Sequence, residues 1–251
     1  KFIKNNYLII LIILLNMSIK NIFLDLDNTL ISSIKITPQN QQLIDELKRK
    51  CDLNDIIKYY ELFDNNRLIY VIFTRPHLHT FLDFLFENFD ISIWTASTRC
   101  YASFIIKQIF KNRSLNYVLF EYHTNISNRF YDKQPKNLNI FNDHFNLPEL
   151  STHNTLIIDD NTKISGNSNN LSKNYKSILC TFFDITKGYD QVKDDIDLLR
   201  IMKEIKEKYL GISNFLFNST TTTPTTTPTP TTTTTTTTTP TTELKSWEKL
   251  G

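Results

Sequence analysis

Eight polar side chains stand where apolar runs of this chain stop. Asp25 and Asp27 close "NIFLDLDNTLI", with Thr29 two residues on; Thr95 and Ser97 close "ISIWTAS"; Asp159 and Asp160 close "LIIDD"; Lys133 stands in "FYDKQPKNL". Several carboxylates brought together repel one another unless a cation joins them. Oxygen-only donors suit a hard ion that keeps some of its waters, and Mg²⁺ is the usual choice. A carboxylate beside such an ion can attack a phosphoryl group and form an aspartyl-phosphate, because the metal offsets the repulsion between two anions. A lysine and a hydroxyl can hold the equatorial oxygens as charge develops. A second acid two residues along can protonate the leaving oxygen and then take a proton from the attacking water. Taken singly, each group has a plainer explanation: two aspartates at a strand end are commonly a turn or a helix cap, and a lone lysine is commonly a solvated one.

Convergence therefore depends on the elements that carry these groups. Short runs rich in Ile, Val, Phe and Tyr predict strands at Asn21–Asp25, Leu68–Thr74, Ile91–Thr95, Tyr117–Phe120, Thr155–Ile158 and Ser177–Phe182. Helical periodicity predicts helices at Pro38–Leu62, His77–Phe89, Thr98–Phe110, Pro135–Phe145 and Gln191–Tyr209. Alternation of the two types predicts an α/β fold, a mainly parallel sheet with helices on both faces. In such sheets ligands bind at the carboxyl ends of the strands, which is where the polar groups fall.

Composition narrows the classes. The 251 residues are 40% hydrophobic with a formal net charge of +2, enough for one sizeable core and without a basic excess suited to nucleic acid. Cys51, Cys100 and Cys180 are scattered and odd in number, which predicts a reducing compartment rather than a disulfide framework. Four isolated glycines exclude a Walker loop and a GxGxxG fingerprint.

Five motifs in order carry a resemblance. "DLDNTL" matches the DxDxT signature of aspartate-nucleophile phosphatases in the haloacid dehalogenase superfamily. "TRPHLHTFLDFL", "WTASTRCYA", "YDKQPKNL" and "LIIDDN" follow as in the FCP/SCP homology domain, which the chain resembles from about Ile19 to Leu210. The resemblance implies a Rossmann-like haloacid dehalogenase fold with a small β insertion rather than a large cap. It implies a Mg²⁺-dependent protein serine/threonine phosphatase, with the RNA polymerase II C-terminal domain among the family's substrates. By position, Asp25 is the nucleophile and a metal ligand, and Asp27 the general acid/base, with its backbone carbonyl a second ligand. Thr29 orients the loop, Thr95 and Lys133 bind the transferring phosphoryl group, Asp160 is the third metal ligand, and Asp159 orients the lysine or a metal-bound water. Arg75 in "TRPH" matches a family residue with either a catalytic role or a structural ion pair open to it. Where small phosphatases of the family carry an arginine for the incoming phosphate, "VLFEYHT" has Glu121, with Arg113 or Arg129 as substitutes.

Two alternatives stand beside this expectation. One is an inactive homologue used as a protein-binding module, which tends to lose an aspartate or the lysine; this chain has all of them. The other is a small-metabolite phosphatase, which usually carries a sizeable cap. The expected partner is a phosphorylated protein bound by a monomer, with no direct nucleic-acid contact. Residues 19–210 form the expected phosphatase domain, flanked by an apolar leader at 1–18 and a tail at 211–251. The tail contains a run of only Thr and Pro from Thr220 to Thr242, expected to be disordered. "YLIILIILL", nine residues long, is too short to span a bilayer, which takes about 20. It reads either as sequence upstream of a start at Met17 or as a signal or anchor. The expected location is the nucleus or cytoplasm, with membrane attachment only if that run serves as an anchor.

Overall fold

A computed structural model describes residues 19–165 and 176–211. The apolar leader and the Thr/Pro run lie outside the described residues. Among the described residues, no helix is long and apolar enough to cross a membrane. In chain order the elements are β1 (Asn21–Leu24), β2 (Ile31–Lys35), α1 (Gln41–Leu53), β3 (Tyr59–Asp64), β4 (Arg67–Thr74), α2 (Leu78–Asn88), β5 (Asp90–Trp94) and α3 (Arg99–Ile109). Then follow β6 (Val118–Leu119), α4 (Glu121–Phe130), α5 (Asn139–Asp143), β7 (Thr155–Asp159), α6 (Thr162–Ser165), β8 (Lys176–Leu179), a 3-10 turn, α7 (Tyr189–Val192) and α8 (Asp197–Tyr209).

Five strands form a parallel sheet in the order β6-β5-β1-β7-β8. Successive side chains of a strand point to opposite faces, and β1 uses both. Ile22 and Leu24 join a core with Phe81 and Leu85 of α2, Ile105 of α3 and Ile201 of α8. Phe23 joins the other core, stacking on Phe141 of α5 at 4.9 Å and meeting Trp94 edge-on at 6.0 Å. After Asn21 the central strand therefore has no polar position until Asp25, where the sheet ends. The fold is the expected α/β arrangement, with helices covering both faces.

The expected helix Pro38–Leu62 is two structures. α1 stops at Leu53, Asn54 turns extended, and Tyr59–Asp64 pairs antiparallel with β4. Asn65 and Asn66 connect the strands with φ of 47° and 62°, the left-handed pair that a two-residue type I′ turn demands and that asparagine tolerates. Leu68–Thr74, expected in the main sheet, is the centre of a separate three-stranded sheet in the order β2-β4-β3. One face of this insertion packs Val71 and Phe73 against Ile44 and Leu47 of α1. α4 occupies a stretch read as a connection. The expected helix Pro135–Phe145 is trimmed to α5, and Gln191–Tyr209 breaks into α7 and α8.

That last break serves Arg75, whose side chain is fully buried just after β4. Its guanidinium donates to both carboxylate oxygens of Asp195 at 3.2 and 2.8 Å, to the Thr181 carbonyl at 2.8 Å and hydroxyl at 2.7 Å, and to the Thr29 carbonyl at 3.1 Å. One cation thus fastens the insertion, the β1–β2 loop and the start of α8. Arg75→Met should lower unfolding stability by about 3 kcal/mol, because it leaves Asp195 and Asp197 facing each other without the cation. The midpoint of urea denaturation measures this.

Candidate active site

The chain leaves β1 at its carboxyl end and enters a tight loop. Asn28 takes a left-handed conformation, φ 60°, tolerable for asparagine. Its N–H donates to the Ile31 carbonyl at 2.7 Å, and its own carbonyl accepts from the Phe183 N–H at 2.8 Å. Leu26 is fully buried, so Asp25 and Asp27 on either side of it both line one crevice. That cavity, of about 590 Å³, is also lined by Thr95 and Ser97 after β5 and by Asp159 and Asp160 at the end of β7. It lies where the chain, having gone from β1 to β5 on one side, later returns as β7 on the other; such switch points are the usual ligand site of parallel sheets. Thr29 is fully buried; its hydroxyl lies 3.2 Å from an Asp160 carboxylate oxygen, to which it donates, and accepts from the Asp160 N–H at 3.1 Å. It joins the β1 loop to the β7 loop.

The lysine that reaches the crevice is Lys136, not Lys133. Lys136 is buried, and its Nζ donates to Asp25 Oδ1 and to Asp159 Oδ2, both at 2.6 Å. Lys133 is exposed in the turn after α4, with φ 62°, and does not line the cavity. Packing makes the difference. Leu138, Ile140 and Phe141 are drawn onto Phe23 and Trp94, and Lys136, two residues ahead of that apolar run, is drawn in with them. Lys133 has no such anchor. The apolar positions following Lys136 were the available signal. Of the proposed arginine substitutes, neither Arg113 nor Arg129 lines the crevice.

Asp25, Asp159 and Asp160 each offer an oxygen, all within 4.8 Å of one another. Among the described residues one ammonium, that of Lys136, faces this group, so negative charge is in excess there. Burial, with the neighbouring Asp159 charge adding to it, pushes the Asp25 carboxyl up from 3.8 to about 8 against the pull of Lys136. Burial alone would lower Lys136, but the two carboxylates outweigh it and its pKa is raised. Asp160 is raised as well, by burial and by Asp159. A buried oxygen cluster short of positive charge is what a hard dication fits. Asp25 and Asp160 can hold one, and the backbone carbonyl of Asp27 belongs to the same loop.

The raised Asp25 carries a sign. Its folded pKa lies above the unfolded one, so the metal-free protein binds an extra proton between about pH 4 and pH 8. The stability this contributes is complete below about 4 and is lost as pH rises through about 8. With a chelator present, the melting temperature should fall across pH 5 to 9, and Asp25→Asn should flatten the slope. Thermal scans of both proteins in EDTA check it.

Asp27 is held differently. It accepts from Ser97 Oγ at 2.7 Å and from the Tyr101 hydroxyl at 2.6 Å. Ser97 Oγ is 2.5 Å from Thr95 Oγ1, and Thr95 Oγ1 accepts from the Ser97 N–H at 3.1 Å. Thr95 thus shapes the β5 loop that presents Ser97. Tyr101, on α3, rests edge-on against Tyr70 of β4 at 5.6 Å, and burial followed by the Asp27 charge drives its pKa upward. Its contribution was not visible in the sequence, because a tyrosine at helical spacing reads as packing.

A parallel sheet with a central aspartate-bearing loop, two flanking loops and a buried lysine defines a class of phosphatase-like site. The family model for NLI interacting factor-like phosphatases matches residues 20–208, and the chain belongs to that family. It is 35% identical over 203 residues to the putative CTD phosphatase-like protein 355R of Invertebrate iridescent virus 6, covering 76% of this chain and 99% of that protein. The protein of the same description from Invertebrate iridescent virus 3 is 29% identical over 196 residues, covering 74% of this chain and 95% of the viral one. The solved structure of Fcp1, described as an essential RNA polymerase II CTD phosphatase, aligns with a TM-score of 0.45 at 20% identity. That alignment covers 78% of this chain and about half, 52%, of the solved one.

Proposed function

We propose that residues 19–210 form a Mg²⁺-dependent phosphatase of phosphoserine and phosphothreonine in proteins, working through an aspartyl-phosphate on Asp25. The observation that carries the reading is Lys136 bridging Asp25 and Asp159, with Asp160 alongside, at the carboxyl ends of β1 and β7. Asp25, Asp160 and the Asp27 carbonyl would hold the ion. When bound, Mg²⁺ supplies positive charge that offsets the repulsion between a carboxylate and a phosphate.

The residues divide the work. An Asp25 carboxylate oxygen attacks phosphorus, forming the new P–O bond as the bond to the serine or threonine oxygen breaks. Lys136, already between Asp25 and Asp159, neutralises the phosphoryl oxygens as they gather charge. Asp27, oriented by Ser97 and Tyr101, gives the leaving oxygen its proton. Asp27 then takes a proton from water as the water oxygen attacks phosphorus, and the bond to Asp25 breaks. Inorganic phosphate leaves and both aspartates are restored.

Absence of a sizeable cap among the described residues supports a protein substrate over a small metabolite. The insertion is three strands packed on α1, and the crevice stays open to a side chain presented on a polypeptide. The two viral relatives are described as putative CTD phosphatase-like proteins, which supports a phosphorylated C-terminal domain, such as that of RNA polymerase II, as one such substrate. A panel of phosphoserine and phosphothreonine peptides assayed for phosphate release, with and without Mg²⁺, tests the proposal. Release that needs the metal is expected. Mg²⁺ binding with no release from any peptide overturns it in favour of a binding module.

A further inference from the structure

A second cavity, of about 510 Å³, opens between the outer side of α3 and the segment joining α3 to β6. Its floor is apolar, built from Phe110, Leu115, Val118 and Phe120, and its rim is cationic, with Arg99, Lys107, Lys111 and Arg113. No carboxylate lines it. In a chain whose net charge is only +2, four cations around one cavity are a local concentration. Arg113 is paired with Asp83 of α2 and lies over the Phe86 ring; Lys107 and Lys111 form no ion pair among the described residues.

This groove adjoins the crevice. Ser97 in the crevice lies in the β5–α3 loop and Arg99 on the groove's rim opens α3, two residues and so at most about 7 Å apart along the chain. Phe120 of the groove floor is followed by Glu121, whose N–H donates to the carbonyl of Ser97 in the crevice at 3.0 Å. A polypeptide whose phosphorylated residue sits in the crevice needs only a few further residues to lay side chains in the groove.

We propose that this groove binds an acidic stretch carrying an apolar side chain, set a few residues from the phosphorylated residue of the same substrate. The inference rests on the phosphatase reading above and adds a substrate preference to it. The apolar floor takes the apolar side chain; the lysine rim takes the carboxylates. Exposed Glu121, bonded through its N–H to Ser97 of the crevice, disfavours an acid immediately beside the phosphoresidue, which places the acids farther out. A nucleic acid fits less well: it calls for a basic groove that tracks a phosphate backbone, and here four cations ring a single cavity in a chain whose net charge is only +2.

Two phosphoserine peptides test this, one with a Glu-Phe-Glu segment a few residues from the phosphoserine, made on either side, and one with Gly-Ser-Gly there. The acidic peptide should be turned over with a kcat/KM roughly tenfold higher, a gain typical of complementary charge. Lys107→Glu combined with Lys111→Glu should remove the preference and leave para-nitrophenyl phosphate hydrolysis unchanged. Equal rates on both peptides in the wild type, or a preference that survives the double variant, overturn the inference while the phosphatase reading stands. If para-nitrophenyl phosphate is not hydrolysed at all, that reading fails separately. The groove is then judged by fluorescence anisotropy with a labelled unphosphorylated Glu-Phe-Glu peptide. Saturable binding lost in the double variant supports the inference, and no binding overturns it. A single-stranded oligonucleotide that displaces the peptide at lower concentration than the unlabelled peptide also overturns it, by making the ligand a nucleic acid.

Discussion

Asp25→Asn lowers para-nitrophenyl phosphate turnover in Mg²⁺ by at least roughly 10³-fold, since removing a nucleophile that works as a unit with its neighbours forfeits most of the rate. An amide keeps the size of the side chain but cannot attack phosphorus or carry the phosphoryl group. Folding should not suffer. The wild-type carboxyl is buried, and its pKa is raised by burial and by Asp159. Taking its charge away relieves the crevice, so at alkaline pH in chelator the variant should melt higher than the wild type. A variant that is more stable yet inactive separates chemistry from structure. Steady-state rates alongside thermal scans measure both, and full activity in Asp25→Asn would remove the aspartyl-phosphate mechanism.

Lys136→Met has the next largest effect. Among the described residues, its ammonium is the one cation that bridges two of the crevice carboxylates. Loss of one preorganised donor to a developing oxyanion costs about 10²–10³ in kcat. The same substitution also leaves Asp25 and Asp159 opposed across a buried space, so stability in chelator should fall and Mg²⁺ should recover part of it. Lys133→Met is the control. Its side chain is exposed in a turn, and its kcat/KM should stay within about twofold of the wild type, as for surface substitutions generally. Initial rates of the two variants, assayed together, decide which lysine serves the reaction.

The contrast between these lysines marks where sequence runs out. Asp25, Asp27, Thr95, Asp159 and Asp160 could be placed together because each ends an apolar run, and the ends of parallel strands converge. The two lysines are three residues apart in a polar turn that has no period. Only the landing of Leu138 and Phe141 on Phe23 and Trp94 selects between them. A small β insertion was implied by the resemblance, but its strand Tyr59–Asp64 was hidden for another reason. "IIKYYELF" after α1 continues an apolar pattern that a helix could also use, and the deciding cue was Asn65-Asn66, whose left-handed backbone closes the hairpin. Tyr101 was hidden because its hydroxyl acts across space, on an aspartate 74 positions earlier in the chain.

Arg75 also links the order of synthesis to the fastening of the site. The β1 loop leaves the ribosome early, but the residues that hold Arg75 against the Thr29 carbonyl, Thr181 and Asp195, are made much later. Both of those come from the last sixth of the described residues. A chain interrupted before Asp195 holds every crevice residue named above and the loop's bonds to Asp160 and Phe183, but lacks the carboxylate that holds Arg75 in place. Among the described residues, the turn before α8 therefore completes what β1 begins, and the loop that carries Asp25 and Asp27 is fastened from far along the chain.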